Sequence, residues 1–188
     1  MGDTATELEY CLNWLRGGVR VLHFGCGDGE LLRRCAAGGS QIHIGIDPSP
    51  KLIYNARKLT EAKGGVRYYF RCGGVSEFKA LLRDSFDAVI VWGAIDELSR
   101  EDGEFALSEI DRVLAKKGKA LLKLGWRDAQ GAEINLANTP MLWGITVAEW
   151  TKRFEENFVV KPCRDLYNRE KRRHEAVFLL QKPDGVSV

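Results

Sequence analysis

The segment Val19-Arg20-Val21-Leu22-His23-Phe24 runs directly into Gly25-Cys26-Gly27-Asp28-Gly29, and this junction limits the possible fold more than any other stretch. A short apolar run bounded by Gly17-Gly18 and a glycine loop predicts a buried strand, and Glu30 to Ala37 then takes on a helical pattern. Three glycines at alternate positions let the backbone turn sharply and come close to a ligand. The first turn of the following helix aims free N–H groups at the same space. A plain strand-to-helix turn is the alternative, and the glycine spacing weighs against it.

The strand and helix alternation continues along the chain. Glu7 to Leu15 reads as a short helix ahead of the first strand. Gln41 to Ile46 alternates like a strand, and Asp47-Pro48-Ser49-Pro50 opens a helix with Ser49 as N-cap and Pro50 in the first turn. Strand Val66 to Phe70, a helix over Ser76 to Leu82 and strand Phe86 to Trp92 follow. Ser99-Arg100-Glu101-Asp102 resembles a capping box for a helix carrying Phe105, Ile110 and Val113, Gly118 marks a turn, and Ala120 to Leu124 is the next strand. Gly125 to Ile145 is a long loop suited to substrate binding, and Thr146-Val147-Ala148-Glu149 caps one more helix. Late strands near Phe158 to Lys161 and Glu175 to Gln181 are joined too briefly for a parallel crossover and should pair antiparallel.

This order predicts an α/β, doubly wound, mostly parallel Rossmann-like sheet of about seven strands with an antiparallel strand at the C-terminal end. One domain over residues 1–188 is expected. It would comprise an N-terminal helix over 1–18, a ligand-binding core over 19–125, and the loop, helix and closing strands over 126–188.

Composition narrows the partners. With 45% hydrophobic and 29% charged residues the chain can bury a core. A net charge of +2 is too small to demand nucleic acid or a membrane surface. No apolar run approaches the roughly 20 residues of a membrane span, and Asp3, Glu7 and Glu9 do not suit an export leader. Five scattered cysteines without a CxxC pair suggest a reducing cytoplasm, and neither they nor the three histidines show metal-ligand spacing, so no metal is expected.

Two ligand classes use such a glycine corner. A dinucleotide fingerprint requires G-x-G-x-x-G, whereas the residue after Gly29 is Glu30, whose carboxylate conflicts with both close packing and a diphosphate. The spacing G-x-G-x-G suits a cofactor without phosphates. Asp47 lies 18 residues beyond Gly29, near the spacing of a ribose-binding carboxylate, and can accept bonds from both vicinal hydroxyls. A carboxylate stabilising a helix N-terminus is the other reading of Asp47.

Val21-Leu22-His23-Phe24-Gly25-Cys26-Gly27-Asp28-Gly29, the acid Asp47, Phe86 to Trp92 and Arg112 to Gly118 together resemble the class I S-adenosylmethionine-dependent methyltransferase family over roughly residues 19–125. The resemblance implies S-adenosyl-L-methionine as cofactor. It also implies contacts from Gly25, Cys26, Gly27, Gly29, Asp47, Pro48, Gly74, Val75, Trp92 and Gly93, with Asp87 structural. Two positions depart from the family: His23 stands where an acid is common, and Cys72-Gly73-Gly74-Val75 has no acid for an adenine amino group, although the backbone near Gly74 and Val75 can still meet the base.

An in-line methyl transfer needs no covalent enzyme nucleophile. For an acceptor that must lose a proton, Asp96 and Glu97 just beyond the fourth strand are candidate bases, with helix-start acids as the plainer reading. Arg169-Glu170-Lys171-Arg172-Arg173 is a solvated hairpin tip or, at Arg169, Lys171, Arg172 and Arg173, a contact for an acidic substrate or RNA. A small or medium-sized acceptor is expected. A non-catalytic binding protein, an RNA-directed methyltransferase and a nicotinamide-dependent oxidoreductase are the alternatives.

Overall fold

The computed structural model describes residues 4–60, 65–125, 142–161, 164–168 and 173–184. In chain order they form α1 (Thr4–Leu15), β1 (Arg20–Phe24), α2 (Glu30–Ala37), β2 (Ile42–Asp47), α3 (Pro50–Leu59) and β3 (Arg67–Cys72). A 3-10 turn (Val75–Ala80), β4 (Phe86–Trp92), α4 (Arg100–Val113), β5 (Leu114–Gly125), α5 (Val147–Glu155), β6 (Val159–Val160), β7 (Arg164–Asn168) and β8 (Arg173–Gln181) complete them.

The strands run β3-β2-β1-β4-β5-β8-β6, with β7 also on β8. Neighbours from β3 to β5 are parallel, and β8 is antiparallel to β5. One edge of β8 meets β5. On the other, β6 pairs at Leu180 and Gln181 and β7 pairs from Arg173 to Val177. The short segments β6 and β7 thus share one position, and the sheet is a seven-position Rossmann-like sheet in a single domain. The order turns about β1 and β4, which places the switch point above their carboxyl ends.

Alternation along each strand sorts side chains to two faces. Leu22, Phe24, Val89, Val91, Leu122, Leu124 and Phe178 pack against Ala106, Ile110 and Val113 of α4 and Trp150 and Phe154 of α5. Val21, Ala88, Ile90, Leu121, Val177 and Leu179 pack against Cys11, Leu12 and Leu15 of α1, Leu31 and Leu32 of α2, and Ile53 and Ala56 of α3. Burying both faces explains why the central strands read as continuous apolar runs.

The caps are those the sequence indicates. Ser49 Oγ accepts from Leu52 N at 3.3 Å, Ser99 Oγ accepts from Asp102 N at 3.1 Å, and Thr146 and Glu149 form a reciprocal box. At the amino edge, Asp87 Oδ2 accepts from Val19 N and Arg20 N while Oδ1 pairs with Arg20 Nη2 at 3.0 Å, a structural role. Burial pushes its acid up, but these bonds outweigh burial and hold Asp87 below the ordinary carboxylate range.

Three expectations change. Val75–Ala80 is a 3-10 turn instead of an α-helix over Ser76 to Leu82. Gly74 offers no side-chain cap, and only six residues separate it from extended Leu81, so i to i+3 bonds such as Leu81 N to Phe78 O suffice. The turn at Gly118 lies inside β5: Leu114 already pairs with Phe86, Lys117 takes φ 61, and pairing resumes at Lys119 opposite Ala88. Between the two late strands the sequence reading has no element, yet β7 forms there because β8 extends back to Arg173 and offers it an edge. The predicted loop from Gly125 to Ile145 falls largely outside the described residues, as do Arg169 to Arg172.

Candidate functional site

Gly25, Gly27 and Gly29 have φ of 72°, 56° and 81°, so each glycine of the loop is held in the left-handed region. The loop folds back onto β2, where Gly25 N and Cys26 N both donate to Ile46 O at 2.8 and 3.0 Å. Asp47 ends β2 with 7% of its surface exposed. Its Oδ2 accepts from Gly27 N at 2.8 Å and its Oδ1 from Ser49 N at 2.9 Å. One carboxylate therefore fixes the glycine loop and the start of α3 together and keeps spare lone pairs for a further donor.

The neighbouring strand ends are joined to this corner. Gly73 N donates to Asp47 O at 3.0 Å, which brings the β3 end, with half-buried Gly74 and Val75, beside β2. Gly25 packs so tightly on Ala94 that an added Cβ would collide with the Ala94 methyl, which ties β1 to the turn after β4. Half-buried Trp92 and Gly93 end β4, and exposed Pro48 follows Asp47. The residues singled out as cofactor contacts in the sequence thus occupy four adjacent strand ends. Added Cβ atoms at Gly27 and Gly74 would meet open space.

Cys26 lies beneath the loop with its sulfur against Gly45, where an added Cβ would come within 2.7 Å of both Cys26 Sγ and Phe70 Cδ1. Burial, with Asp47 adding to it, pushes the Cys26 thiol up to about 12, so it serves as packing and not as a nucleophile. His23 is 3% exposed, neither ring nitrogen has a partner, and burial lowers its imidazole to about 3.

Asp96 and Glu97 separate in the structure. Asp96 is 7% exposed, and its Oδ1 accepts from Gly125 N at 2.9 Å, which fastens the turn after β4 to the end of β5. That bond gives Asp96 a structural tie in addition to its candidacy as a base. Glu97 is exposed on the same turn.

Sequence reasoning missed Lys123 and Glu175. Lys123 Nζ lies 2.7 Å from Glu175 Oε2 and 4.9 Å from the centre of the Trp92 ring, with Lys123 and Glu175 only 7% and 1% exposed. The available signal was a charge inside each apolar strand, Lys123 within Ala-Leu-Leu-Lys-Leu and Glu175 before Ala-Val-Phe-Leu-Leu. A cavity of about 340 Å³ lined by Glu9, Arg16, Arg34 and Ser40 lies at the amino ends of the strands, opposite this corner. Among the described residues no group of His, Cys, Asp and Glu is arranged to hold a metal, and no helix is long and apolar enough to cross a membrane.

Parallel strands turning about β1 and β4, a glycine loop tied to an acid, and an open corner above them form a Rossmann-like site for a nucleoside-bearing cofactor. The methyltransferase domain family matches residues 21–118, just over half of the chain, and the chain belongs to that family.

The ubiquinone biosynthesis O-methyltransferase of Bradyrhizobium diazoefficiens is 37% identical over 82 residues, covering 44% of this chain and 31% of that protein. The chain therefore matches about a third of the length of this curated relative. The YcgJ protein of Bacillus subtilis is similar in structure with a TM-score of 0.70 at 16% identity, over 96% of this chain and 100% of that one. The N-methyltransferase NodS of Bradyrhizobium japonicum, in complex with S-adenosyl-L-homocysteine, has a TM-score of 0.70 at 14% identity, over 95% and 85%. At such identities the likeness establishes the fold.

Proposed function

We propose that this methyltransferase acts on a hydroxyl group of a small or medium-sized acceptor, with the cofactor held along the ends of β1 to β4. The observation that carries the placement is the Gly27 N to Asp47 Oδ2 bond, which presents glycine backbone and a carboxylate to one open space. The O-methyltransferase relative supports oxygen as the receiving atom.

In this reading Asp47 holds the ribose hydroxyls, and the backbone of Gly25, Cys26, Gly27 and Gly29 lies along the cofactor. Pro48, Gly74 and Val75 flank the base, while Trp92 and Gly93 flank the methionine end. Held there, S-adenosylmethionine would supply an electrophilic methyl carbon to the acceptor oxygen, with its sulfonium sulfur as the leaving group that keeps the bonding pair. The chain's part is alignment, and the bond from Asp96 to Gly125 N keeps the receiving side of the corner in place. Glu97 takes the acceptor's proton, since it is the acid of this turn that faces solvent. The basic run Arg169, Lys171, Arg172 and Arg173 favours an acceptor that carries an acidic group. The free thiols among the described residues suit a reducing cytoplasm.

Titration calorimetry with S-adenosyl-L-homocysteine, followed by a screen of hydroxylated acceptors with labelled methyl groups, tests the reading. Micromolar binding and label on oxygen are expected. Label found only on nitrogen acceptors would overturn the hydroxyl assignment, and absent binding by folded protein would overturn the placement.

A further inference from the structure

The end of the sheet opposite the glycine corner carries a cavity that methyl transfer leaves unused. It opens between the last turns of α1 and α2 at the amino end of β1, and its volume of about 340 Å³ lies within the range of small-molecule sites. Buried Leu12, Leu15 and Val21 and half-buried Cys35 form an apolar floor. Arg16 and Arg34 stand on the rim with Asn13 and with Glu9, the one acid among the described lining residues.

Two helices end here, and a helix end ordinarily presents free carbonyl oxygens that repel an anion. The chain has closed both ends itself. Lys119 Nζ donates to Trp14 O at 2.6 Å at the end of α1. At the end of α2, Gly38 N donates to Arg34 O and Cys35 O, Gly39 N to Ala36 O and Ser40 N to Cys35 O, all within 3.2 Å. The guanidinium groups are thus not drawn off by these carbonyls.

Arg16 directly follows α1, and its Nε lies 3.7 Å from the point where a side chain on Gly38 would begin, so it reaches across the opening to the end of α2. Among the described residues its side chain has no carboxylate or hydrogen-bond partner. Arg34 is tied to exposed Glu30 at 3.2 Å, a surface pair of little strength. Beyond the Gly17-Gly18 turn, Lys116 and Lys119 line a second concavity beside Asp87, whose carboxylate Arg20 already takes. The field at this end of the sheet is therefore positive, although the whole chain carries only +2.

We propose that this cleft is a second binding site, separate from the cofactor corner, for a small organic acid with an apolar body. The body lies on Leu12, Leu15, Val21 and Cys35, and the carboxylate meets the Arg16 guanidinium. A planar guanidinium matches a carboxylate with two parallel N–H bonds, and the apolar floor shields that pair from part of the surrounding water. A ligand with an ammonium head would instead face two guanidinium groups. Cys35 serves as floor and not as a reactive group, because burial pushes its thiol up to about 11.

3-Phenylpropionate and 3-phenylpropylamine, which share a body and differ in the sign of the head group, are the probes, and amide NMR of the folded protein reads them. The carboxylate should shift the amides of Gly17, Gly18, Gly38 and Ser40 saturably, with or without saturating S-adenosyl-L-homocysteine, and leave those of Gly25, Gly27 and Gly29 in place. The amine should bind at least about tenfold more weakly. Arg16→Gln should weaken the carboxylate about tenfold, whereas Lys51→Gln, which removes an exposed positive charge at the other end of the sheet, should change it less than about twofold. No saturable shift, equal binding of the amine, unchanged affinity in Arg16→Gln, or shifts centred on the glycine loop would each overturn the site. The wild-type pattern decides it alone should Arg16→Gln not fold.

Discussion

Asp47 accepts from the backbone N–H of Gly27 across the β1 to β2 junction at 2.8 Å, so the residue proposed to hold the ribose also holds the glycine loop. Removing the acid therefore damages two things at once. Asp47→Ala should lose roughly 1–3 kcal/mol of stability, because Gly27 N and Ser49 N lose their acceptor, and should bind S-adenosyl-L-homocysteine at least tenfold more weakly. Asp47→Asn, which keeps one acceptor oxygen, should fall between. Urea melts with parallel calorimetry check this, and full affinity in Asp47→Ala would show that the corner does not use the carboxylate.

A second prediction concerns Gly25, which has φ 72° and faces the Ala94 methyl. Gly25→Ala meets both a left-handed backbone and a collision, which together should cost about 2–4 kcal/mol. Adding Ala94→Gly relieves the collision but not the dihedral strain, so the double variant should recover part of the loss. A thermal melt of the pair decides it. A Gly25→Ala protein as stable as wild type would mean that the β1 and β4 turns do not press together as described.

Much of this architecture was legible in the chain because its signals are local. Phe86 to Trp92 is a strand with the bounds read from sequence, Glu30 to Ala37 is the predicted helix, and Ser49, Ser99 and Thr146 cap the helices their spacing indicates. What escaped depends on partners distant in sequence. β7 exists only because β8 presents an edge, and the ion pair between Lys123 and Glu175 joins residues 52 positions apart. The different settings of Asp96, buried, and Glu97, exposed, were likewise illegible. They are neighbours in sequence, and the contact from Gly125 N to Asp96 depends on how β5 ends beside the turn.

The Lys123–Glu175 pair gives a third prediction. With both side chains buried and 2.7 Å apart, Lys123→Met breaks a buried ion pair and should cost about 3–5 kcal/mol. The double change Lys123→Met with Glu175→Leu removes both members of the pair and should cost less than the sum of the single changes. A double-mutant cycle by urea denaturation measures the coupling. Additive single effects would mean that the two side chains act independently.

The last prediction follows from His23 and acid. Burial holds the native imidazole at about 3, whereas the unfolded chain returns it to about 6.5. Between those values the unfolded state carries a proton that the native state does not, so stability falls as pH drops through this window. At pH 4.5 the loss relative to pH 7 should be about 3 kcal/mol from this one residue. His43, also pushed down by burial, contributes in the same direction but is common to wild type and variant. His23→Phe has no such proton to take up, so its stability relative to wild type should rise as the pH falls from 7 to 4.5. Urea denaturation of both proteins at the two pH values measures that difference. A difference independent of pH would mean that His23 titrates near its ordinary value, and hence that water reaches the ring and the site beneath the glycine loop is not closed.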